Sequence, residues 1–157
     1  METTVSLVQM LDARERRVQH QQALLAQYHK PLICFTMNIC GPVKDSPLIR
    51  RGFARGRQLL RQQFLRAKLV PLREDVIREV TGCEAFYVLD ADPLTIKKFT
   101  TDIEDATPLG RLFDMDVICP DGRKVDREEL HLEGRRCLIC GGPAKACLSL
   151  IHISEPT

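Results

Sequence analysis

The sequence predicts an α+β fold in one domain, with a mixed β-sheet packed against helices. The chain has 157 residues, the size of one domain, and 44% of them are hydrophobic, enough for a core of ordinary size. Segments with helical spacing of apolar residues occur among short apolar runs typical of strands. The two kinds follow one another without a regular βαβ alternation and without an internal repeat, which favours the α+β class.

A first helix is predicted over residues 6–30, because apolar side chains recur there at helical spacing and Ser6 or Thr4 can cap its start. Pro31 ends this helix. Its apolar stripe comprises Val8, Leu11, Val18, Leu24, Leu25 and Tyr28. Residues 32–40 form an apolar run rich in Ile, Phe and Thr, which predicts a buried strand.

A second helix is predicted to begin at Ser46 and Pro47, since serine is a good N-cap and proline is favoured at the first helical position. This helix extends to about Lys68, with apolar residues on one side and arginines over the rest. From Arg50 to Lys68 there are six Arg, one Lys and no acid. The net charge of the chain is only +2, so the positive charge is local and general nucleic-acid binding is not expected.

The second half of the chain predicts shorter elements separated by proline and glycine turns. In order, these are a short helix over 71–80, a strand over 84–90, a helix from 92 to about 99, a strand or helix end over 100–104, a strand over 112–119, a turn over 120–122, a returning hairpin segment over 123–125 and one helical turn over 126–130. The strand over 112–119 carries the residues that most clearly suggest chemistry.

Asp114 and Asp116 are two residues apart in this predicted strand. Side chains alternate faces along a strand, so both carboxylates share one face while Phe113, Met115 and Val117 take the other. Two residues span about 6.5 Å, and neighbouring carboxylates repel unless a cation or water lies between them. Mg²⁺ binds through one or two carboxylates together with substrate phosphates. The pair therefore indicates a magnesium site.

Gly110 and Arg111 precede the aspartates and would supply a tight turn followed by a fixed positive charge. Acids on a strand next to such a charge are the layout expected of a phosphate-transferring site. The alternative is an ordinary half-buried strand whose acids face water.

A second candidate site lies in residues 41–46, a predicted strand-to-helix turn. Backbone N–H groups at a helix start favour anions, Lys44 adds a point charge, and Arg50 and Arg51 can grip phosphate oxygens. The segment lacks the P-loop pattern. The alternative is a capped helix with a solvated basic face. Together, this basic segment would hold a polyphosphate and the acidic pair its metal.

A third group of residues, Cys137, Cys140 and Cys147, combines a C-x2-C with a further cysteine. Zinc prefers four thiolate or imidazole ligands, and His152 could be the fourth. The alternatives are reduced thiols around a Gly-Gly-Pro turn or, less favoured, a redox C-x-x-C without the expected preceding strand.

The remaining composition predicts a cytoplasmic protein. Seven cysteines are an odd number and several lie in apolar runs, which fits reduced thiols better than a disulfide framework. There is no apolar stretch of 18 residues, so no membrane span is expected, and the first residues do not resemble a secretory signal.

Three segments, in this order, resemble the apo-citrate lyase phosphoribosyl-dephospho-CoA transferase family, the holo-acyl-carrier synthases of citrate lyase. They are GPVKDSPLIRRGF at 41–53, PLGRLFDMDV at 108–117 and RRCLICGGPAKAC at 135–147. The combination of Pro-Leu-Gly-Arg-Leu, Asp-x-Asp and Arg-Arg-Cys-Leu-x-Cys is specific, and the resemblance covers about residues 5–147.

The resemblance implies a bacterial enzyme with nucleotidyltransferase-type chemistry and a nucleotidyltransferase-like fold. Such enzymes transfer the 2′-(5″-phosphoribosyl)-3′-dephospho-CoA group from its triphosphate precursor to a serine of the citrate lyase acyl-carrier subunit and release diphosphate. Two other functions remain open. One is a related transferase acting on the malonate decarboxylase carrier, and the other is a zinc-binding module whose Asp-x-Asp strand is merely solvated.

The resemblance also implies roles for the residues above. Asp114 and Asp116 would hold Mg²⁺, and Arg111 would act on the phosphates with them. The positions expected to contact the triphosphate substrate are Lys44, Asp45, Arg50, Arg51, Gly110, Arg135 and Arg136. Asp45 would assist at the metal or orient Lys44, and the Arg-Arg-Cys motif would bind CoA-derived phosphates or organise the end of the domain.

Two features depart from the family pattern. Members often carry His just before Pro-Leu-Gly-Arg, where this chain has Thr107. Residues 148–157 look like translated sequencing-adapter sequence, so the expected transferase domain is residues 1–147, truncated at its C-terminus, followed by a non-native tail.

Overall fold

The structure, a computed structural model, describes residues 3–130. Its elements are α1 (Leu7–Tyr28), β1 (Leu32–Met37), α2 (Pro47–Arg66), β2 (Arg73–Glu79), β3 (Gly82–Val88), α3 (Pro93–Ala106), a 3₁₀ turn (Leu109–Leu112), β4 (Phe113–Ile118) and a second 3₁₀ turn (Arg127–Leu130). The chain divides into two compact units, Met1–Val125 and Asp126–Thr157. The second 3₁₀ turn is the described element of the latter and agrees with the helical turn predicted over 126–130.

The four strands form one sheet in the order β2-β3-β1-β4, with every neighbouring pair antiparallel. The α+β class is confirmed, but the predicted mixed sheet is wrong. The helical crossovers β1-α2-β2 and β3-α3-β4 each join two strands of the same direction, and in each case an antiparallel strand lies between them. This is the split βαβ arrangement, in which parallel strands are never neighbours.

The sheet separates two hydrophobic clusters within the first unit. The larger cluster lies under α2 and α3 and includes Phe53, Leu60, Ile96 and Ile103 from these helices, with Phe35, Tyr87, Phe113, Met115 and Val117 from the strands. The smaller cluster lies under α1 and comprises Leu24, Leu25, Leu32, Cys34, Phe86, Val88 and Ile118. The sheet is therefore covered by α1 on one face and by α2 and α3 on the other.

The helix starts follow the predicted capping signals. Ser6 caps α1 with a reciprocal capping box to Gln9, and the Ser46 hydroxyl accepts a hydrogen bond from the Ile49 amide at 3.2 Å at the start of α2. Asp92 caps α3, which continues to Ala106 and so includes the segment predicted as a strand or helix end.

The prediction for residues 71–80 is wrong, and the helical stripe of α1 is buried unevenly. Residues 71–80 contain strand β2 rather than a helix. The predicted stripe of α1 is buried only towards its C-terminal end, because Val8, Leu11 and Val18 are exposed while Leu24 is buried. Among the helices between residues 3 and 130, none has both the length and the apolar character needed to cross a membrane.

Candidate active site

The aspartate strand is β4, the last strand in the order of the sheet formed by residues 3–130. Asp114 and Asp116 are half-buried and alternate with the buried Phe113, Met115 and Val117, as predicted. These three apolar side chains belong to the cluster under α2 and α3, so the two carboxylates lie on the α1 face. In the register of the sheet, Asp114 is opposite Thr36 and Asp116 is opposite Cys34.

Two cations on the α1 face come from residues that the sequence did not single out. Lys124 Nζ lies 3.3 Å from an Asp116 carboxylate oxygen. Arg17 Nε of α1 donates to a Glu84 carboxylate oxygen at 2.8 Å. Glu84 lies on β3 and is opposite Thr36 of β1, which has Asp114 of β4 on its other side. The α1 face of the sheet therefore carries carboxylates on β3 and β4, together with cations from α1 and from the segment after the hairpin turn.

The thiol of Cys34 lies in this charged neighbourhood. Burial raises the pKa of the Cys34 thiol to about 12, and the nearby carboxylates of Asp116 and Glu84 act in the same direction. A hydrogen bond with Gln21 and the charge of Arg17 partly oppose this rise. Cys34 is therefore a protonated, unreactive thiol at neutral pH rather than a nucleophile.

The Pro-Leu-Gly-Arg segment forms the 3₁₀ turn that leads into β4. The Gly110 amide donates to the Thr107 carbonyl at 3.0 Å, and Gly110 is buried against α3. A Cβ at Gly110 would lie 2.5 Å from the carbonyl oxygens of Ile103 and Glu104, so only glycine allows this approach. Arg111 follows on the exposed side, and the predicted tight turn followed by a positive charge is confirmed.

The basic segment at 41–46 connects β1 to α2, and its charged side chains are already engaged locally. Lys44 Nζ donates to the Ile39 carbonyl. Asp45 accepts two hydrogen bonds from Arg50, at 2.9 and 2.8 Å. The carboxylate of Asp45 is therefore held by Arg50, and the expected roles of Asp45, at the metal or in orienting Lys44, stay predictions. Arg51 is exposed in the first turn of α2.

The fold brings the start of α2 next to the turn that carries Arg111. A Cβ at Gly52 would lie 3.1 Å from Met37 Cε and 3.7 Å from Leu109 Cδ1. The backbone amide of Asn38, just after β1, donates to the Leu112 carbonyl at 2.7 Å. The basic segment and the Pro-Leu-Gly-Arg turn thus lie at the same end of the sheet, where β4 begins. The acids lie on the α1 face, whereas α2 packs on the opposite face.

The sequence analysis also missed Glu104, a carboxylate that is only 4% exposed. Its Oε2 accepts a hydrogen bond at 3.0 Å from the backbone amide of Met115, the residue between the two aspartates. A carboxylate on the apolar side of a helix, one turn after the buried Thr100, is the sequence signal that could have found it.

Several predicted positions lie outside the described residues. These are Arg135, Arg136, Cys137, Cys140, Cys147 and the tail over 148–157. Within residues 3–130, no group of three or more His, Cys, Asp or Glu side chains is arranged to hold a metal ion. A cation held by Asp114 and Asp116 would therefore need further oxygens from water or substrate.

Comparison with known proteins gives a consistent result. Residues 5–152 match the family model described as apo-citrate lyase phosphoribosyl-dephospho-CoA transferase. The chain is 35% identical over 143 residues to the Citrobacter koseri protein of that name, covering 91% of this chain and 78% of the relative. It is 34% identical, with the same coverage, to the Escherichia coli O1:K1 protein of that name.

A third relative is longer. The chain is 36% identical over 143 residues to "Protein CitXG" of Haemophilus influenzae, covering 91% of this chain but 31% of that protein. This chain therefore spans about a third of that relative and about three quarters of the other two. The match of the family model and the two relatives of similar length show that this chain belongs to the apo-citrate lyase phosphoribosyl-dephospho-CoA transferase family.

Proposed function

We propose that this protein transfers the 2′-(5″-phosphoribosyl)-3′-dephospho-CoA group from its triphosphate precursor to a serine of the citrate lyase acyl-carrier subunit and releases diphosphate. The observation that carries this proposal is the family match over residues 5–152. The family match does not favour the two alternatives, transfer to the malonate decarboxylase carrier and a non-enzymatic zinc-binding module. The proposed compartment is the bacterial cytoplasm, in keeping with the free buried thiols of Cys34 and Cys83.

The donor set of β4 fits Mg²⁺. Asp114 and Asp116 lie on one face of the strand and are both half-buried, so both would offer carboxylate oxygens on that face, and solvent or phosphate oxygens would complete an octahedral shell. Bound there, Mg²⁺ would neutralise triphosphate charge and lower the pKa of the serine hydroxyl. Lys124 Nζ lies 3.3 Å from an Asp116 carboxylate oxygen, so its charge would lie beside the bound phosphates as well. The proposed zinc ligands Cys137, Cys140 and Cys147 lie outside the described residues, and structural zinc stays a prediction.

The basic residues at the end of the sheet would bind the phosphates. Arg51 and Arg111 are exposed, and the fold places their segments next to each other. Lys44 has three N–H donors and uses one on Ile39, which leaves two for phosphate oxygens. Arg50 is held by Asp45 in a fixed orientation, which limits the rotamer entropy lost on binding. These charges would stabilise the departing diphosphate.

The transfer forms one bond and breaks one. The serine oxygen of the carrier attacks the phosphorus next to the ribose, and the bond from that phosphorus to the diphosphate oxygen breaks. The serine proton leaves to a base or to water, and a phosphodiester joins the carrier to the prosthetic group. The residues of this chain orient the triphosphate and stabilise its charge, which is where most of the catalysis of phosphoryl transfer lies.

The proposal is tested by the intact mass of the carrier. Purified protein is incubated with apo-carrier, the triphosphate precursor and Mg²⁺. We expect a mass gain equal to the phosphoribosyl-dephospho-CoA group. Asp114→Asn and Asp116→Asn should each lower the rate by at least about 100-fold, since a lost electrostatic contact to the reacting charge typically costs that much.

Asp121→Asn is the matched control, because Asp121 is an exposed acid of the turn after β4 whose oxygen accepts the Arg123 amide at 3.0 Å. It should modify the carrier at the normal rate. An unmodified citrate lyase carrier, together with modification of a malonate decarboxylase carrier, would reassign the acceptor. No modification of either carrier by the folded protein would refute the proposed activity.

A further inference from the structure

Within residues 3–130, the side of β4 that faces away from β1 contacts a side chain as well as the returning hairpin segment. The Val117 carbonyl accepts the Val125 amide at 2.8 Å, from the segment that returns after the hairpin turn. Two residues earlier the amide of Met115 points the same way, away from β1, and its partner is the carboxylate of Glu104 at 3.0 Å. In the described part of the chain, Glu104 thus supplies to the Met115 amide, between the two aspartates, the acceptor that a paired strand would supply.

The same helical turn also contacts the segment of Arg111. The carbonyl oxygens of Ile103 and Glu104 are so close to Gly110 that a Cβ there would lie 2.5 Å away. Glu104 is buried at the end of α3, and its side chain and backbone contact β4 and the 3₁₀ turn respectively. One residue therefore links the position of the acidic pair to the position of the Pro-Leu-Gly-Arg turn.

We propose that Glu104 is a positioning residue, which holds Asp114 and Asp116 in the orientation that binds a divalent cation. This inference rests on the function proposed above. A strand that slips by one residue turns all its side chains to the opposite face, and edge strands are the least constrained against such movement. The bond from the Met115 amide to Glu104 fixes the peptide between the aspartates, so that both carboxylates stay on the α1 face.

The positioning role depends on the length of the Glu104 side chain and on its acceptor oxygen. Two variants separate these two properties from the negative charge of the side chain. Glu104→Gln keeps the length and an acceptor oxygen but removes the charge. Glu104→Asp keeps the charge but withdraws the acceptor by one methylene. A positioning role predicts that Gln preserves function and Asp does not, whereas an electrostatic role predicts the reverse order.

Two measurements on the full chain without substrates test this prediction. The first is amide hydrogen exchange at Met115 by NMR, and the second is Mn²⁺ binding followed by the paramagnetic resonance signal of the free ion. We expect Glu104→Asp to accelerate Met115 exchange and to weaken Mn²⁺ binding about tenfold, the lower end of the effect of losing a supporting contact. Glu104→Gln should stay within about twofold of the original protein in both.

Asp102→Asn serves as the matched control, because Asp102 is an exposed acid of the same helix, paired with Lys98 at 2.7 Å. It should change neither measurement. Mn²⁺ binding that is weaker in Glu104→Gln than in Glu104→Asp would overturn the positioning role, as would Met115 exchange unchanged in Glu104→Asp. If Asp114→Asn leaves Mn²⁺ binding intact, the metal pair is wrong and the positioning role falls with it. Loss of carrier modification with these binding results intact would refute only the proposed reaction.

Discussion

At the scale of single residues, Gly110 determines how closely the Pro-Leu-Gly-Arg turn approaches α3. We expect Gly110→Ala to lower the free energy of unfolding by about 2 kcal/mol or more, because the new Cβ would meet backbone carbonyls at 2.5 Å and rigid backbone must shift. Urea denaturation of the two proteins measures this difference.

Gly52→Ala is the matched control for this prediction. The nearest atom to its Cβ is Met37 Cε, at 3.1 Å, and this is the mobile end of a flexible side chain. Replacing glycine by alanine within a helix gains up to about 1 kcal/mol, so this variant should be neutral or slightly more stable. Equal destabilisation by both variants would contradict the close contact between Gly110 and α3.

The candidate site was predictable from sequence where local geometry determines it. The shared face of Asp114 and Asp116 follows from the two-residue period of any strand, and the turn at Gly110 follows from local residue types. The side chains that contact this strand were not predictable, because only the fold brings them close to it. Asp116 contacts Lys124 across a hairpin turn, and Glu104 reaches Met115 from another element.

At the scale of elements, β2 shows why residues 71–80 were wrongly predicted as a helix. The sequence of β2 is rich in charged residues, which is unusual for a strand and gives little apolar periodicity. Its charges are paired across the layers, since Glu74 bonds to Arg57 and Arg61 of α2, and Asp75 bonds to His20 of α1. The partners of these acids lie on helices that are distant in the sequence. The sequence of residues 71–80 therefore does not by itself indicate that its charges are paired in a strand.

The acids of β2 should make stability fall at low pH. Burial alone would raise the pKa of Glu74, but hydrogen bonds from Arg61 and Arg57 outweigh it and lower the pKa below its ordinary value of 4.5. Arg73 and His20 likewise outweigh burial at Asp75 and lower its pKa below 3.8. A lowered pKa contributes stability above the unfolded-state value, and this contribution is lost as the pH falls through the folded-state value.

Glu74→Gln tests this prediction. At pH 7 it should reduce the free energy of unfolding by about 1.5–3 kcal/mol, the range for hydrogen bonds to charged groups. The difference from the original protein should shrink as the pH falls below 4.5, because protonated Glu resembles Gln. Urea denaturation from pH 7 to pH 3 measures it, with the exposed Asp102→Asn as control. A difference that stays the same from pH 7 to pH 3 would mean that the ionised form of Glu74 contributes no stability of its own.

At the scale of the whole molecule, the class was predictable and the strand pairing was not. The sequence indicates which segments are helices and which are strands through local periodicity, and most of them were identified. Strand order depends on which segments meet across the chain, and β1 pairs with both β3 and β4 rather than with the next strand, β2. The same topology places the acids on the face covered by α1, whereas the helix that carries Arg50 and Arg51 packs on the opposite face and starts beside the turn that leads into β4.

The attachment of α1 to the sheet leads to the last prediction. Leu24 is 3% exposed and packs in the smaller cluster, whereas Leu11 of the same helix is 52% exposed. We expect Leu24→Ala to reduce the free energy of unfolding by about 2–5 kcal/mol and Leu11→Ala to change it by less than about 0.5 kcal/mol. The midpoints of urea denaturation, compared at equal m-values, measure both changes in the free energy of unfolding. Leu24 anchors the C-terminal half of α1 in this cluster, whereas the N-terminal half is held by the buried Ala13 and by the pairing of Arg17 with Glu84. Equal effects of the two variants would show that Leu11 is packed as closely as Leu24, contrary to the different exposure of the two side chains.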